Sequence, residues 1–507
     1  MKKLQFIFFT ALLSFVQIAS AQELPSFVKD SLDNYVQKAM NDWKVPGVAV
    51  CIVKDGKAVV MKGYGVKEIG TSEKVDENTL FMIGSNTKAF TATALAMLDA
   101  DKKLSLDDKV QKWLPDFKLY DPWVAKEATV RDLLCHRLGF ETFQGDFMYF
   151  DSDLSLAEVR EKFGRVKPMY GFRSRWGYTN AAFMTAGEII PKATNKTWAQ
   201  FVKDSIFAPL EMNRSLVLSS DIATASNKAA AHSLVNGEVK KVPYGRLENM
   251  APAGSISSSV NDLSHWVLMQ LNNGKYNGKQ VVPAAAIAQT RTPNSILGNG
   301  GAPFNTGHFA LYGLGWFLQE YNGKKIVSHT GGVNGFVTGI TLIPEEKLGI
   351  IVLTNSETNL IEVLKWEIMD AYMHLPYRNY NQVFLSRQKE QDAAEAKWLK
   401  EKKDSVAMNL KPLLSLQNFA GTYKHDVYGN MNIALQNGKL VATFEHHKGR
   451  YATLKVLGGN RFLATFNDPL YGVKVWPFTI ENDKVKSVTV TVADFVEFTP
   501  YEFYKIK

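Results

Sequence analysis

The sequence predicts an α/β (α+β) domain followed by a small all-β domain, on three observations. Strand-like apolar runs sit at both ends of the first 380 residues, at Gly47 to Lys54 and Lys57 to Tyr64, then at Lys324 to His329, Phe336 to Ile343 and Leu348 to Leu353. The stretch between them, from about Ser105 to Ile256, carries mainly helical and loop-like spacing. From Leu416 the texture changes to short alternating segments. The expected architecture is an antiparallel sheet flanked by helices with an inserted helical subdomain, then a barrel or sandwich.

The elements are read in chain order. Lys2 and Lys3 precede an apolar run from Leu4 to Ile18, and Ala19-Ser20-Ala21 is a small-residue cleavage site. Residues 1–21 therefore read as a signal peptide with a mature start at Gln22, which places the mature chain in a periplasm or outside the cell. Ser26 to Asp42 reads as an amphipathic helix. Asp55-Gly56 joins the first two strands as a two-residue hairpin turn. Ala89 to Leu98 continues helically from Gly84-Ser85-Asn86-Thr87-Lys88, and the helical spacing of Ala182 to Leu210 is expected to break at Pro191. Ile361 to Met373 closes the first domain as a helix. The expected domains are 22–385 for the α/β domain, 386–413 for a charged helical linker, and 414–507 for a β-barrel. Asn437-Gly438 marks a hairpin in the last, where Tyr423, Tyr428, Phe444 and Trp476 are expected to fill the core.

The 507 residues are 46% hydrophobic and 21% charged, the profile of a globular chain with sizeable cores. Removing the signal segment takes two lysines and no acids, so the formal net charge falls from +9 to +7. These charges are dispersed and mixed in sign, which argues against nucleic acid as a partner. No later stretch reaches the ~18 apolar residues of a membrane span. Cys51 and Cys135 are no disulfide framework and read as two buried free thiols. Of nine histidines only His446 and His447 are adjacent, and they read as an exposed turn rather than a metal site. The chain has no Gly-x-Ser-x-Gly elbow, His-Glu-x-x-His motif, phosphate loop or cofactor fingerprint, so neither a cofactor nor a metal is expected.

The chemistry-bearing motif is Ser85 with Lys88. On a helix these lie on one face, about 5–6 Å apart. A serine hydroxyl needs a base within hydrogen-bond reach, and lysine serves only when neutral, which burial and neighbouring positive charge promote. Backbone N–H groups at the helix start can receive an oxyanion. Alone, the pair reads equally well as a capped helix start with a surface lysine, and Ser-x-x-Lys also occurs at Ser26–Lys29 and Ser386–Lys389. Tyr178-Thr179-Asn180 and His329-Thr330-Gly331-Gly332, in that order behind it, break the tie.

With these three motifs the chain resembles the serine β-lactamase and penicillin-binding-protein superfamily, most closely its class C-like branch of peptidases and esterases. The resemblance spans roughly Glu23 to Tyr380 and takes in Thr129–His136, Gly254–Asp262 and Tyr312–Trp316. It implies that Ser85 forms an acyl-enzyme while Lys88 and Tyr178 share proton transfer. It further implies that Asn180, His329, Thr330 and Gly331 bind substrate and that the N–H groups of Ser85 and Gly332 form the oxyanion hole. The C-terminal region resembles lipocalin-like modules attached to some of these hydrolases. In β-lactam-recognising members the position of His329 is usually lysine. Histidine, often neutral at pH 7, weakens capture of a substrate carboxylate. The expected function is hydrolysis of amide or ester bonds in small substrates, D-amino-acid peptides or carboxylic esters. A β-lactamase, or a penicillin-binding sensor acylated with little turnover, stays open as the other reading.

Overall fold

The computed structural model describes residues 23–235, 237–304 and 307–506. The expected signal peptide and Gln22 lie outside the described residues.

Eight antiparallel strands form the first sheet, in the order Lys57–Gly65, Gly47–Lys54, Leu348–Thr354, Phe336–Ile343, Lys324–Val333, Phe317–Tyr321, Ala310–Tyr312 and Ser295–Gly298. The N-terminal strand thus pairs with the last strand of the domain, Val50 opposite Val352. Every residue of these two central strands is buried. That is why both read as unbroken apolar runs rather than alternating ones. Their side chains still alternate between faces. Ala49, Cys51 and Val53 join the core containing helices Thr87–Ala100 and Val260–Leu271, where Phe90 stacks on Trp266 at 4.0 Å. Val48, Val50 and Ile52 join the core under helices Leu32–Trp43 and Leu360–Tyr372.

The helical subdomain includes the short helix Val130–Leu134 and the long helix Asn180–Thr194, plus a hairpin of Ala231–Val235 with Glu238–Val242. Pro191 does not break the long helix as the sequence suggested. It stands in the last turn, where its ring costs one backbone bond, and its own carbonyl accepts from Asn195 N–H. Cys51 and Cys135 are free and buried, and burial pushes both thiols up to about 12. Among the described residues no helix is long and apolar enough to cross a membrane.

Helix Tyr380–Ala407 leads to the second domain. Its first turn is rooted in the first domain: Trp43 Nε1 donates to Asn381 Oδ1 at 2.8 Å and Tyr380 Oη to Asp370 Oδ2 at 2.7 Å. Beyond it, eight strands from Gly421–His425 to Tyr501–Lys505 close into a barrel, with Tyr423 opposite Lys505 at the seam. Tyr423, Tyr428, Phe444 and Trp476 all lie in its aromatic core. His447 is not the exposed residue expected from its polar surroundings. It is 3% exposed because Phe147, from the first domain, stacks on its ring at 4.4 Å. Phe147 also meets Phe444 at 5.2 Å and Tyr501 at 5.7 Å, so one side chain of the first domain plugs the mouth of the second.

We expect Phe147→Ala to remove about 3–5 kcal/mol of packing at this junction. Calorimetry should then resolve a separate, earlier barrel transition; an unchanged thermogram would contradict the plug.

Candidate active site

Ser85 sits in the 3₁₀ turn Gly84–Asn86, which runs directly into helix Thr87–Ala100. Several bonds hold that turn. Asn86 Nδ2 donates to Thr338 Oγ1 at 2.9 Å, and Ile83 N–H donates to Ile256 O at 2.9 Å. Gly84 has a φ of +51°, and a Cβ there would lie 3.0 Å from both the N and the O of Gly332. Gly331 is tighter still: a Cβ would stand 1.8 Å from the Ile83 carbonyl oxygen. The two glycines of the third motif therefore let strand Lys324–Val333 press against the nucleophile turn. The α-hydrogen side of Gly331 that a Cβ would occupy faces Ile83.

Lys88 points into the domain and is fully buried. Its Nζ lies 3.2 Å from Ser85 Oγ, 2.6 Å from Asn180 Oδ1 and 2.8 Å from Ala253 O. Burial pushes the amine down to about 7, with Asp146 opposing that shift. A neutral amine has two N–H donors, matching the two carbonyl oxygens, and one lone pair, which then faces Ser85. Burial alone does this, without the neighbouring positive charge invoked from sequence.

Tyr178 and Asn180 flank the start of helix Asn180–Thr194. Their approach is fixed by buried Asp132, which accepts from Arg137 at 2.5 Å and from Arg173 at 2.7 Å. Thr179 N–H donates to His136 Nδ1 at 3.0 Å, and the His136 ring lies 4.4 Å from that of Tyr178. Lys88 Nζ is 4.7 Å from the Tyr178 ring centroid. The Tyr178 hydroxyl is buried without a hydrogen bond of normal geometry. Burial raises the phenol well above its ordinary range, and the nearby Ser85 hydroxyl offsets only part of this. Tyr178 is thus a protonated phenol at neutral pH, not a ready base.

Asn180 bridges two ionisable groups. Its Oδ1 faces Lys88 and its Nδ2 donates to Asp146 Oδ2 at 2.5 Å, leaving one Nδ2 hydrogen free. Asp146 also accepts a short bond from Tyr149 Oη. Burial pushes its carboxyl up to about 7. The motif reading missed Asp146 and His136, which belong to none of the three patterns. The signal for Asp146 is an acid leading the apolar run Phe147–Phe150: a charge there is buried and needs partners.

His329 is 2% exposed. Its Nδ1 lies 2.6 Å from Thr330 O and its Nε2 3.2 Å from Tyr312 Oη. One nitrogen donates to a carbonyl and the other accepts from a phenol, so the ring is neutral. Burial holds its pKa down to about 3, with Lys88 adding to the effect. Thr330 is exposed at the cleft rim. Strand Phe317–Tyr321 pairs with its neighbour only as far as Ser328, whereas the pairing with Phe336–Ile343 continues to Val333. The edge from His329 to Gly332 therefore borders the cleft.

The cleft has a volume of about 240 Å³. Ser85, Tyr178, Asn180, His329 and Gly332 line it together, walled by Phe143, Phe150, Trp176, Phe317 and Phe495. Phe495 comes from the barrel domain, and its ring would lie 3.2 Å from a Cβ on Gly332.

The family model described as β-lactamase matches residues 32–371. The chain belongs to the β-lactamase family of serine hydrolases. A second model, a domain of unknown function (DUF3471), matches residues 407–505, the barrel and the end of its leading helix. Among characterised relatives, an unguisins hydrolase of Aspergillus violaceofuscus is 27% identical over 473 residues, covering 83% of this chain and 82% of the relative. Protein flp of Staphylococcus aureus is 26% identical over 348 residues, covering 68% and 67%. The octameric penicillin-binding protein homologue from Pyrococcus abyssi superposes with a TM-score of 0.60 at 22% identity, over 94% of this chain and 99% of that one. The similarity shows a shared fold across both domains.

Gly331→Ala forces its Cβ onto the Ile83 backbone, and we expect a loss of about 1–3 kcal/mol, measured by denaturant titration. Unchanged stability would show that the turn and strand are not in this contact.

Proposed function

We propose that the chain is an exported serine hydrolase that cleaves amide or ester bonds through an acyl-enzyme on Ser85. The observation that carries this reading is the buried Lys88 amine, 3.2 Å from Ser85 Oγ with two carbonyls to occupy its N–H groups. Lys88 takes the Ser85 proton as Oγ attacks the carbonyl carbon. Tyr178, kept neutral by burial, passes its proton to the departing nitrogen or oxygen and is reprotonated by the Lys88 ammonium. Water then attacks the acyl carbon and gives a proton to neutral Lys88, which returns it to Ser85 Oγ as the acid leaves. The N–H groups of Ser85 and Gly332 hold the oxyanion; losing one such donor costs about 2.7–4 kcal/mol elsewhere. The free Nδ2 hydrogen of Asn180 meets the substrate carbonyl.

The substrates we assign are D-amino-acid peptides, small amides or carboxylic esters. The strand edge at His329–Gly332 supports pairing with an extended peptide backbone. The aromatic walls favour apolar side groups. A neutral His329 offers no fixed cation to a carboxylate, so β-lactams are assigned as poor substrates. The relative described as an unguisins hydrolase supports the reaction class. Export rests on Lys2, Lys3, the apolar run to Ile18 and Ala19-Ser20-Ala21.

Intact-protein mass after mixing with a p-nitrophenyl ester should reveal a transient acyl adduct, absent from Ser85→Ala. Benzylpenicillin should acylate more slowly; a lasting penicillin adduct without turnover would favour the sensor reading. Undiminished ester turnover in Ser85→Ala would sink the assignment.

The pH profile follows from Lys88. The neutral amine is the active form, so kcat/KM should rise with pH through about 7 and be lost below it. Asp146 raises the Lys88 pKa, so Asp146→Asn should move this acid limb to lower pH. A limb that stays in place would show that the two groups are not coupled.

A further inference from the structure

We infer that the barrel domain is a working part of the active site, and that Glu497 is a positioning residue for the Ser85–Lys88 chemistry. The inference rests on the Ser85 reading above. Glu497 belongs to the segment between the last two barrel strands and is 2% exposed. Its Oε1 accepts from Gly145 N–H at 2.8 Å and its Oε2 from Phe147 N–H at 3.0 Å. These two amides flank Asp146. One carboxylate from the second domain therefore grips the turn Asp146–Met148 on both sides of its acid. Tyr428 Oη, at 2.7 Å, and the Thr499 hydroxyl complete the shell around Glu497.

From Asp146 the contacts continue inward without a gap. Asn180 Nδ2 donates to Asp146 Oδ2 at 2.5 Å, Asn180 Oδ1 lies 2.6 Å from Lys88 Nζ, and Lys88 faces Ser85. Asn180 is aimed at Lys88 only while its amide nitrogen has Asp146 to bond. Asp146 stays there only while its turn stays in register. The ring of Phe147, in the barrel mouth, holds the same turn by packing. Among the described residues, nothing in the β-lactamase-like domain offers the Gly145 and Phe147 amides the paired acceptor that Glu497 provides. Displacing Glu497 therefore changes where Lys88 points its lone pair.

The test is labelling of the full chain by an alkyl fluorophosphonate, followed as the Ser85 adduct by intact mass, with Ser85→Ala as control. Glu497→Gln places a donor against one of the two amides. It should lower the maximal labelling rate fivefold or more while the half-saturating probe concentration changes less than twofold. Tyr428→Phe, a milder change should Glu497→Gln fail to fold, should produce a smaller loss in the same direction. Phe462→Ala weakens the barrel in its other aromatic cluster, with Phe419 and Phe478, and should leave the maximal rate unchanged. Wild-type rates in both Glu497→Gln and Tyr428→Phe, or an equal loss in Phe462→Ala, would overturn the positioning role. Absence of Ser85-dependent labelling in the wild type would instead overturn the Ser85 reading itself.

Discussion

The structure is organised around the burial of one lysine amine. A charged ammonium loses its hydration inside a protein and must recover it from partners or give up its proton. Among the described residues, Lys88 has only carbonyl and hydroxyl oxygens within hydrogen-bond distance, with Asp146 held one side chain away by Asn180. The result is an amine that changes state near neutrality instead of near its ordinary 10.5. Helix Thr87–Ala100 makes this possible because it is buried almost all round, with small Ala and Thr side chains beside Lys88. A surface helix with the same Ser-x-x-Lys spacing would leave its lysine charged.

The rest of the site follows from placing partners around that amine. Strand Lys324–Val333 can approach the Ser85 turn only with glycine at 331, since any Cβ would strike the Ile83 carbonyl. The same approach brings His329 into the apolar interior, where it is neutral. Burial disfavours a histidinium there, and Lys88 lowers further the tendency of His329 to hold a proton. This gives a physical reason for a family member with histidine at this position to lack a carboxylate-capturing charge.

Much of this was legible locally. Ser85, Lys88, Tyr178, Asn180 and His329 stand in short motifs whose order is informative, and the structure places Ser85, Tyr178, Asn180 and His329 along one cleft with Lys88 buried against Ser85. The strands Gly47–Lys54 and Leu348–Thr354 were legible because burial on both faces leaves them wholly apolar. Other features depend on contacts far apart in sequence. Asp146 sits in a loop whose path is set by Glu497, 351 residues downstream, and by the barrel mouth around Phe147. His447 looked like surface because its partner, Phe147, is in another domain. Pro191 looked like a helix break because local rules do not say how near a helix end it stands.

NMR titration of the intact protein carrying ¹³Cε-labelled lysine reads the protonation state of Lys88 directly. One lysine signal should titrate near pH 7 and vanish in Lys88→Arg. If every lysine signal titrates near the ordinary 10.5, Lys88 is charged at neutrality and cannot take the Ser85 proton as described.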